Sequence, residues 1–159
     1  MSTAAIPFKR LFTLEEANAA LPLVRAICTD LAQLSRDVIE RSERLANLQR
    51  VRGAQGRSDQ RRDLYAEEVA QIEEDLERDS QRLQEYVEEL RELGVEPKDG
   101  LQGLVDFPSL MDGRVVFLCW RLAEPEILYW HDIEAGFAGR QPLTANSGAG
   151  GNDFHSSAS

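Results

Sequence analysis

The sequence predicts an α+β fold: a long antiparallel coiled-coil helical hairpin packed on a small three-stranded antiparallel sheet. Three observations carry this. From Val24 to Leu93 the apolar residues keep a seven-residue count, interrupted by a segment with two glycines, Gly53 and Gly56. Gly94 and Pro97 then stop the helical pattern. Beyond them come three β-rich runs, separated by the turn signals Asp112-Gly113 and Ala123-Glu124-Pro125-Glu126. The expected helices lie near residues 14–52 and 58–94. The expected strands lie at about 104–107, 115–122 and 127–133.

Thr13-Leu14-Glu15-Glu16 opens the first helix as a capping box, the Thr13 oxygen accepting the Glu16 amide while the Glu16 side chain reaches back. Pro22 removes a backbone donor two turns later, so a kink or break is expected near Ala19 to Leu21. In the first helix Val24, Leu31, Val38 and Leu45 form one interior row, and Ile27, Leu34, Arg41 and Leu48 the other. In the second the rows are Val69, Leu76, Leu83 and Leu90, with Ile72, Asp79, Tyr86 and Leu93. A loop this short folds the helices back on each other, with facing residue numbers summing to about 113. Leu34 is then expected beside Asp79, Ile27 beside Tyr86 and Val24 beside Leu90. The competing arrangement, helices of two molecules forming a homodimer, is disfavoured by the short loop.

Centring the second hairpin on Glu124-Pro125 sets Trp120 opposite Tyr129 and Leu118 opposite His131. The first hairpin, at Asp112-Gly113, sets Phe107 opposite Leu118. His131 then falls on the apolar face with Val105, Trp120 and Ile133, and belongs in the core. Asp106, Phe117, Cys119, Trp130 and Asp132 fall on the reverse face, whose two large aromatics need a cover: the N-terminal segment, the loop after Asp132, or a partner.

The chain has 28 acidic against 18 basic residues, a formal net charge of −10. An acidic protein of this kind does not offer its whole surface to nucleic acid or an anionic membrane. No apolar run reaches the roughly 18 residues of a membrane span. Residues 1–12 read as a tether without an apolar signal core, which predicts a cytoplasmic protein. Cys28 and Cys119 have no CxxC spacing and are expected as reduced thiols. Residues 11–143 read as one domain, with hairpin 14–94 and β meander 101–134. Residues 144–159, rich in Gly, Ser, Asn and Ala, read as a disordered tail.

Several motifs together resemble a known family: Phe12-Thr-Leu-Glu-Glu-Ala-Asn18, Leu21-Pro22, Leu93-Gly-Val, Gly103-Leu-Val-Asp-Phe-Pro108 and Gly113-Arg. To these are added Leu118-Cys-Trp-Arg-Leu, Glu124-Pro-Glu, Tyr129-Trp-His131 and Gly136-Phe-Ala-Gly-Arg-Gln141. The string is similar to an uncharacterised bacterial family, domain of unknown function 2203. The resemblance implies one domain over residues 11–143; it brings no activity, cofactor or substrate with it.

Candidate sites fall in two places. One is the sheet–helix junction, where Trp120, Tyr129, His131 and Arg140 make a candidate ligand site. One imidazole with carboxylates also suits iron, zinc or manganese, with His131, Glu124 and Glu126 as ligands, joined by Asp132 and Glu134 and by Cys119 or Asp106. Against this, no HxxxH, ExxH or HxH spacing occurs. Adjacent strand residues His131 and Asp132 point to opposite faces, and Cys119 is expected on the face of Asp132. A core histidine bonded to a backbone carbonyl is the plainer expectation. Gly136-Phe-Ala-Gly139-Arg140 could cradle an anion, but as a tight turn it needs no ligand. Cys119, in mid-strand without a near base, is not expected to be a nucleophile.

The other place is the hairpin tip, where Arg50, Arg52, Arg57, Arg61 and Arg62 cluster with Asp59 as the opposing charge. At 1.5 Å per residue the tip stands about 40 Å from the Pro22 end, several Debye lengths from the acidic body. It can therefore meet an acidic protein or RNA, although solvation alone also accounts for such a run. With no nucleophile–base pair evident, the sequence favours a binding module with a basic tip, no catalytic residues and no cofactor. The rival is a small metal-binding protein or enzyme around His131.

Overall fold

The computed structural model describes residues 8–55 and 59–143. Helix α1 spans Leu14–Gln55 and α2 spans Asp59–Glu92. Five strands follow: β1 Glu96–Asp99, β2 Leu104–Met111, β3 Arg114–Trp120, β4 Tyr129–Asp132 and β5 Gln141–Pro142, with a 3-10 turn at Phe137–Gly139. They form one antiparallel sheet in chain order. The α+β class stands, but the sheet has five strands where three are expected. Both added strands are short, carry a proline and lie at the sheet edges, where a missing ladder donor costs least. Among the described residues no helix is long and apolar enough to cross a membrane.

Local sequence accounts for the element ends. The capping box forms in both directions, Thr13 N–H to Glu16 Oε1 and Glu16 N–H to Thr13 Oγ1, each at 3.0 Å. The same contacts hold the exposed Glu16 carboxyl below its usual range, the Thr13 backbone bond first among the causes. Pro22 does not end the helix; α1 runs through it, held on either side by buried Leu21 and Val24. At the other end of the pair, Gly94 adopts φ 92° and closes α2 in a Schellman motif. Val95 N–H reaches the Leu90 carbonyl at 3.0 Å, and Gly94 N–H reaches that of Arg91 at 2.9 Å. Val95 and Leu90 are both buried, so the motif also steers the chain into β1.

The helices lie side by side along two apolar clusters. Leu48, Val69 and Ile72 form the one remote from the sheet, flanked by Leu45, Tyr65 and Leu76. Val24, Ile27, Leu31, Leu83, Tyr86 and Leu90 join the main core under the sheet. Asp79 ion-pairs with Arg41, seven residues further along α1 than the expected neighbour Leu34. The two charged residues of the interior rows thus satisfy each other, as a polar pair at a helix seam must.

The main core takes one face of the sheet: Val105, Phe107, Met111, Val116, Leu118, Trp120 and Trp130, packed on Phe12, Leu21, Val24 and Leu90. Asp112 and Gly113, at φ 51° and 81°, make the predicted tight turn between β2 and β3. That turn produces the expected pairings Phe107 with Leu118 and Val105 with Trp120.

The β3–β4 pairing departs from expectation by one residue. Tyr129 pairs with Cys119 rather than Trp120, and His131 with Phe117 rather than Leu118. The segment between the strands is not a tight hairpin but a loop pinned to α1. Asn18 Oδ1 accepts the Ile127 N–H at 3.0 Å, and the Arg25 guanidinium donates to the carbonyls of Pro125, at 3.0 Å, and Glu124. The Trp120 indole N–H donates to the same Glu124 carbonyl at 3.0 Å. A docked loop leaves register to side-chain burial, and the bulk of Trp130 takes the core position. A one-residue slip turns every β4 side chain over. His131 therefore stands on the reverse face.

Candidate metal centre

The slip brings His131 to Asp106 and Cys119, which the expected register keeps on the other side of the sheet. Asp106 in β2 and Cys119 in β3 are direct cross-strand partners. His131 in β4 is diagonal to Cys119 on the same face, still within side-chain reach. Their nitrogen, oxygen and sulfur atoms lie within 4.8 Å of one another. All three are buried, at 1% exposure for Asp106, 0% for Cys119 and 2% for His131.

Hydrogen bonds fix the imidazole. His131 Nδ1 lies 2.7 Å from the Asp132 carbonyl oxygen, which only accepts, so Nδ1 carries a proton. Nε2 lies 3.0 Å from Asp106 Oδ1. Burial by itself would lower the imidazole pKa. The bonds to Asp106, Cys119 and the Asp132 carbonyl, with the Asp106 charge, outweigh it and push the pKa up to about 10. The metal-free site thus holds an imidazolium beside Asp106 and Cys119.

This arrangement suits ligation better than nucleophilic catalysis. A cysteine–histidine–aspartate relay needs the thiol and the carboxylate at opposite ring nitrogens. Here Nδ1 is committed to a backbone carbonyl, which leaves Nε2 to face Asp106 and Cys119 together. A ligating histidine commonly donates its second N–H in this way, which fixes the tautomer and directs the other lone pair at the ion. Donors in a tetrahedral zinc shell stand about 3.3 to 3.7 Å apart, given bonds of about 2.0 to 2.3 Å. Asp106 and His131 need separate by only a few tenths of an ångström.

A cavity of about 190 Å³ opens beside the three groups, lined also by Lys98, Leu104, Phe117, Ile133, Gly136 and Phe137. Two of the three expected covers of this face are present. Phe8 packs edge-on against Phe117 at 5.4 Å, and the loop after Asp132 brings Gly136 and Phe137 to the cavity wall. Cys28 is apart from the site, buried in the core, where burial raises its thiol pKa to about 12.

The sequence-predicted residues scatter around this centre. Trp120 is fully buried on the opposite, core face. Tyr129 and Arg140 stack, the guanidinium carbon 3.9 Å from the ring centroid, and Arg140 also lies 4.5 Å from the Phe137 ring. Glu124 is not with His131; it pairs with Arg140 at 2.7 Å in a largely buried contact. Glu126 is exposed and outside the cluster, and Asp132 pairs with Arg114 at 2.8 Å. At the tip, Arg50 is exposed and bonds Asn47. Arg57 and the side chains of Arg52, Arg61 and Arg62 lie outside the described residues, as do the expected tail 144–159 and most of the tether. Asp106 and Cys119 were legible only as adjuncts to His131. The signal that could have promoted them is the competition between Trp130 and His131 for one core position, which the larger apolar ring wins.

Comparison with curated proteins and with solved structures gives no match. A family model does match, over residues 10–143, described as an uncharacterised conserved protein. Since the match spans both helices and the whole sheet, the chain belongs to that family, DUF2203.

Proposed function

We propose that the protein binds a divalent transition metal, zinc by preference, through Asp106, Cys119 and His131. The observation that carries this reading is the convergence of one carboxylate, one thiol and one tautomer-fixed imidazole within 4.8 Å on three adjacent buried strands. A thiolate and an imidazole favour zinc over manganese, and the mixed set resembles the three-ligand shells that leave a fourth position open. Buried polar groups of this kind are costly unless satisfied, and a bound cation satisfies all three at once. The test is elemental analysis of protein purified without a histidine tag, then dialysed against zinc. About one zinc per chain is expected, lost in Cys119→Ser and in His131→Ala. A folded wild-type protein that takes up no zinc would sink the reading.

A second reading concerns the far end of the helices, where α1 and α2 pack on each other around Leu48, Val69 and Ile72. Arg50, Arg52, Arg57, Arg61 and Arg62 make that end a contact for an acidic protein or RNA; charge and distance from the acidic body support it. Replacing all five with Gln should leave folding intact and abolish salt-sensitive partner capture. Identical partners at identical salt for both proteins would reduce the tip to a solvated loop.

A further inference from the structure

We infer that the cavity beside the metal centre takes a small monocarboxylate with an apolar body, its carboxylate at the open coordination position and close to Lys98. The inference rests on the metal reading above and adds the class of ligand. Three observations support it. Asp106, Cys119 and His131 all line the cavity, so a three-ligand ion would turn its fourth position into that space.

The charges come next. A divalent ion with one carboxylate, one thiolate and a neutral imidazole sums to zero, which leaves Lys98, also in the lining, as the unbalanced charge. Its ammonium lies 5.7 Å from the Phe117 ring centroid, at the wall of the same space. One surplus cation suits a monoanion; a phosphate dianion would want further donors.

The third observation is the character of the walls. Leu104, Phe117, Ile133 and Phe137 are apolar, and Gly136 contributes no side chain. The cavity, at about 190 Å³, is smaller than the roughly 300 to 1,000 Å³ that holds drug-sized ligands. A short aliphatic or single-ring acid fits these terms, with its body against the aromatic walls.

The experiment is calorimetric titration of the zinc-loaded protein with butyrate and with its neutral amide, butyramide. It is run on the wild type and on Lys98→Met, each with its zinc content measured first. Lys98 is not a metal ligand, so the variant should hold as much zinc as the wild type. Butyrate should bind the wild type, bind Lys98→Met about fivefold more weakly, and outcompete butyramide. Zinc bound without butyrate binding would overturn the inference while leaving the metal centre standing. Equal butyrate affinity in the two proteins, or equal affinity for butyramide, would do the same. A wild type that holds no zinc removes both.

Discussion

Replacing Asp106 and His131 together, as Asp106→Val with His131→Leu, separates the stabilising role of their pair from any other role it has. The pair is buried to within 2% exposure on both sides and joined by a 3.0 Å bond. Asp106→Val alone leaves a neutral imidazole at pH 8 that has lost its 3.0 Å partner at Nε2 and faces Cys119 alone, at about 1 to 3 kcal/mol. His131→Leu alone strands a buried carboxylate, at about 3 to 5 kcal/mol. The double change removes both polar groups, and the adjoining cavity has room for the extra methyl groups. Apolar replacement of a whole buried pair is often neutral or stabilising, so the double variant should fall within about 1 kcal/mol of the wild type. The assay is urea unfolding of the metal-free proteins, followed through buried Trp120 and Trp130. A double variant as unstable as His131→Leu alone would refute the reasoning and make the pair a structural element.

Other outcomes follow from the same contacts. In the metal-free protein, the His131 pKa raised from 6.5 to about 10 contributes stability fully below pH 6.5 and loses it as pH climbs toward 10. Urea midpoints across that window should fall for the wild type by more than for the double variant; parallel curves would remove the imidazolium from the folded state. Trp120→Ala, which empties a fully buried site in the core, should cost about 3 to 5 kcal/mol, and a loss under about 1 kcal/mol would contradict that burial. Thr13→Ala should cost about 1 kcal/mol by uncapping α1, with Thr13→Ser restoring most of it; equal losses in both would mean that the hydroxyl bond contributes nothing.

The two helices and their ends were legible because their signals are local, whereas the register between them, off by seven residues at Asp79, was not. The box at Thr13 to Glu16, the glycine stop at Gly94 and the apolar rows each act within a few turns and need no knowledge of the rest. The Asp112-Gly113 turn is as local, and it sets the β2–β3 register without ambiguity. The two edge strands were not legible. Glu96-Pro97-Lys98-Asp99 and Gln141-Pro142 have little β preference, and pairing alone makes them strands. Asn18 and Arg25, roughly a hundred residues away in sequence, dock the β3–β4 loop and replace the tight hairpin that would have set the register. No pattern within residues 119–133 records that contact. The error of one residue was small in the fold and decisive at the site, because strand parity chooses which side of the sheet the imidazole occupies.

The residues that the sequence singled out around His131 remain informative in their observed places, because they hold the wall of the cavity. Arg140 is anchored by Glu124 and lies against the rings of Tyr129 and Phe137. Glu124 is itself held, its backbone carbonyl taking the Trp120 indole N–H and its Oε1 the Arg121 amide at 3.2 Å. Arg140 N–H returns to the Phe137 carbonyl at 3.1 Å, closing the turn that presents Phe137. The line from α1 through the β3–β4 loop to Phe137 is therefore continuous. An ion pair between groups exposed by 12% and 11% is screened far less than a surface pair, so it can hold a wall of this kind where an exposed pair could not. Residues 119–143 thus serve two purposes. Cys119 and His131 face the cavity, while Trp120, Glu124, Tyr129, Phe137 and Arg140 fix the loop that encloses it.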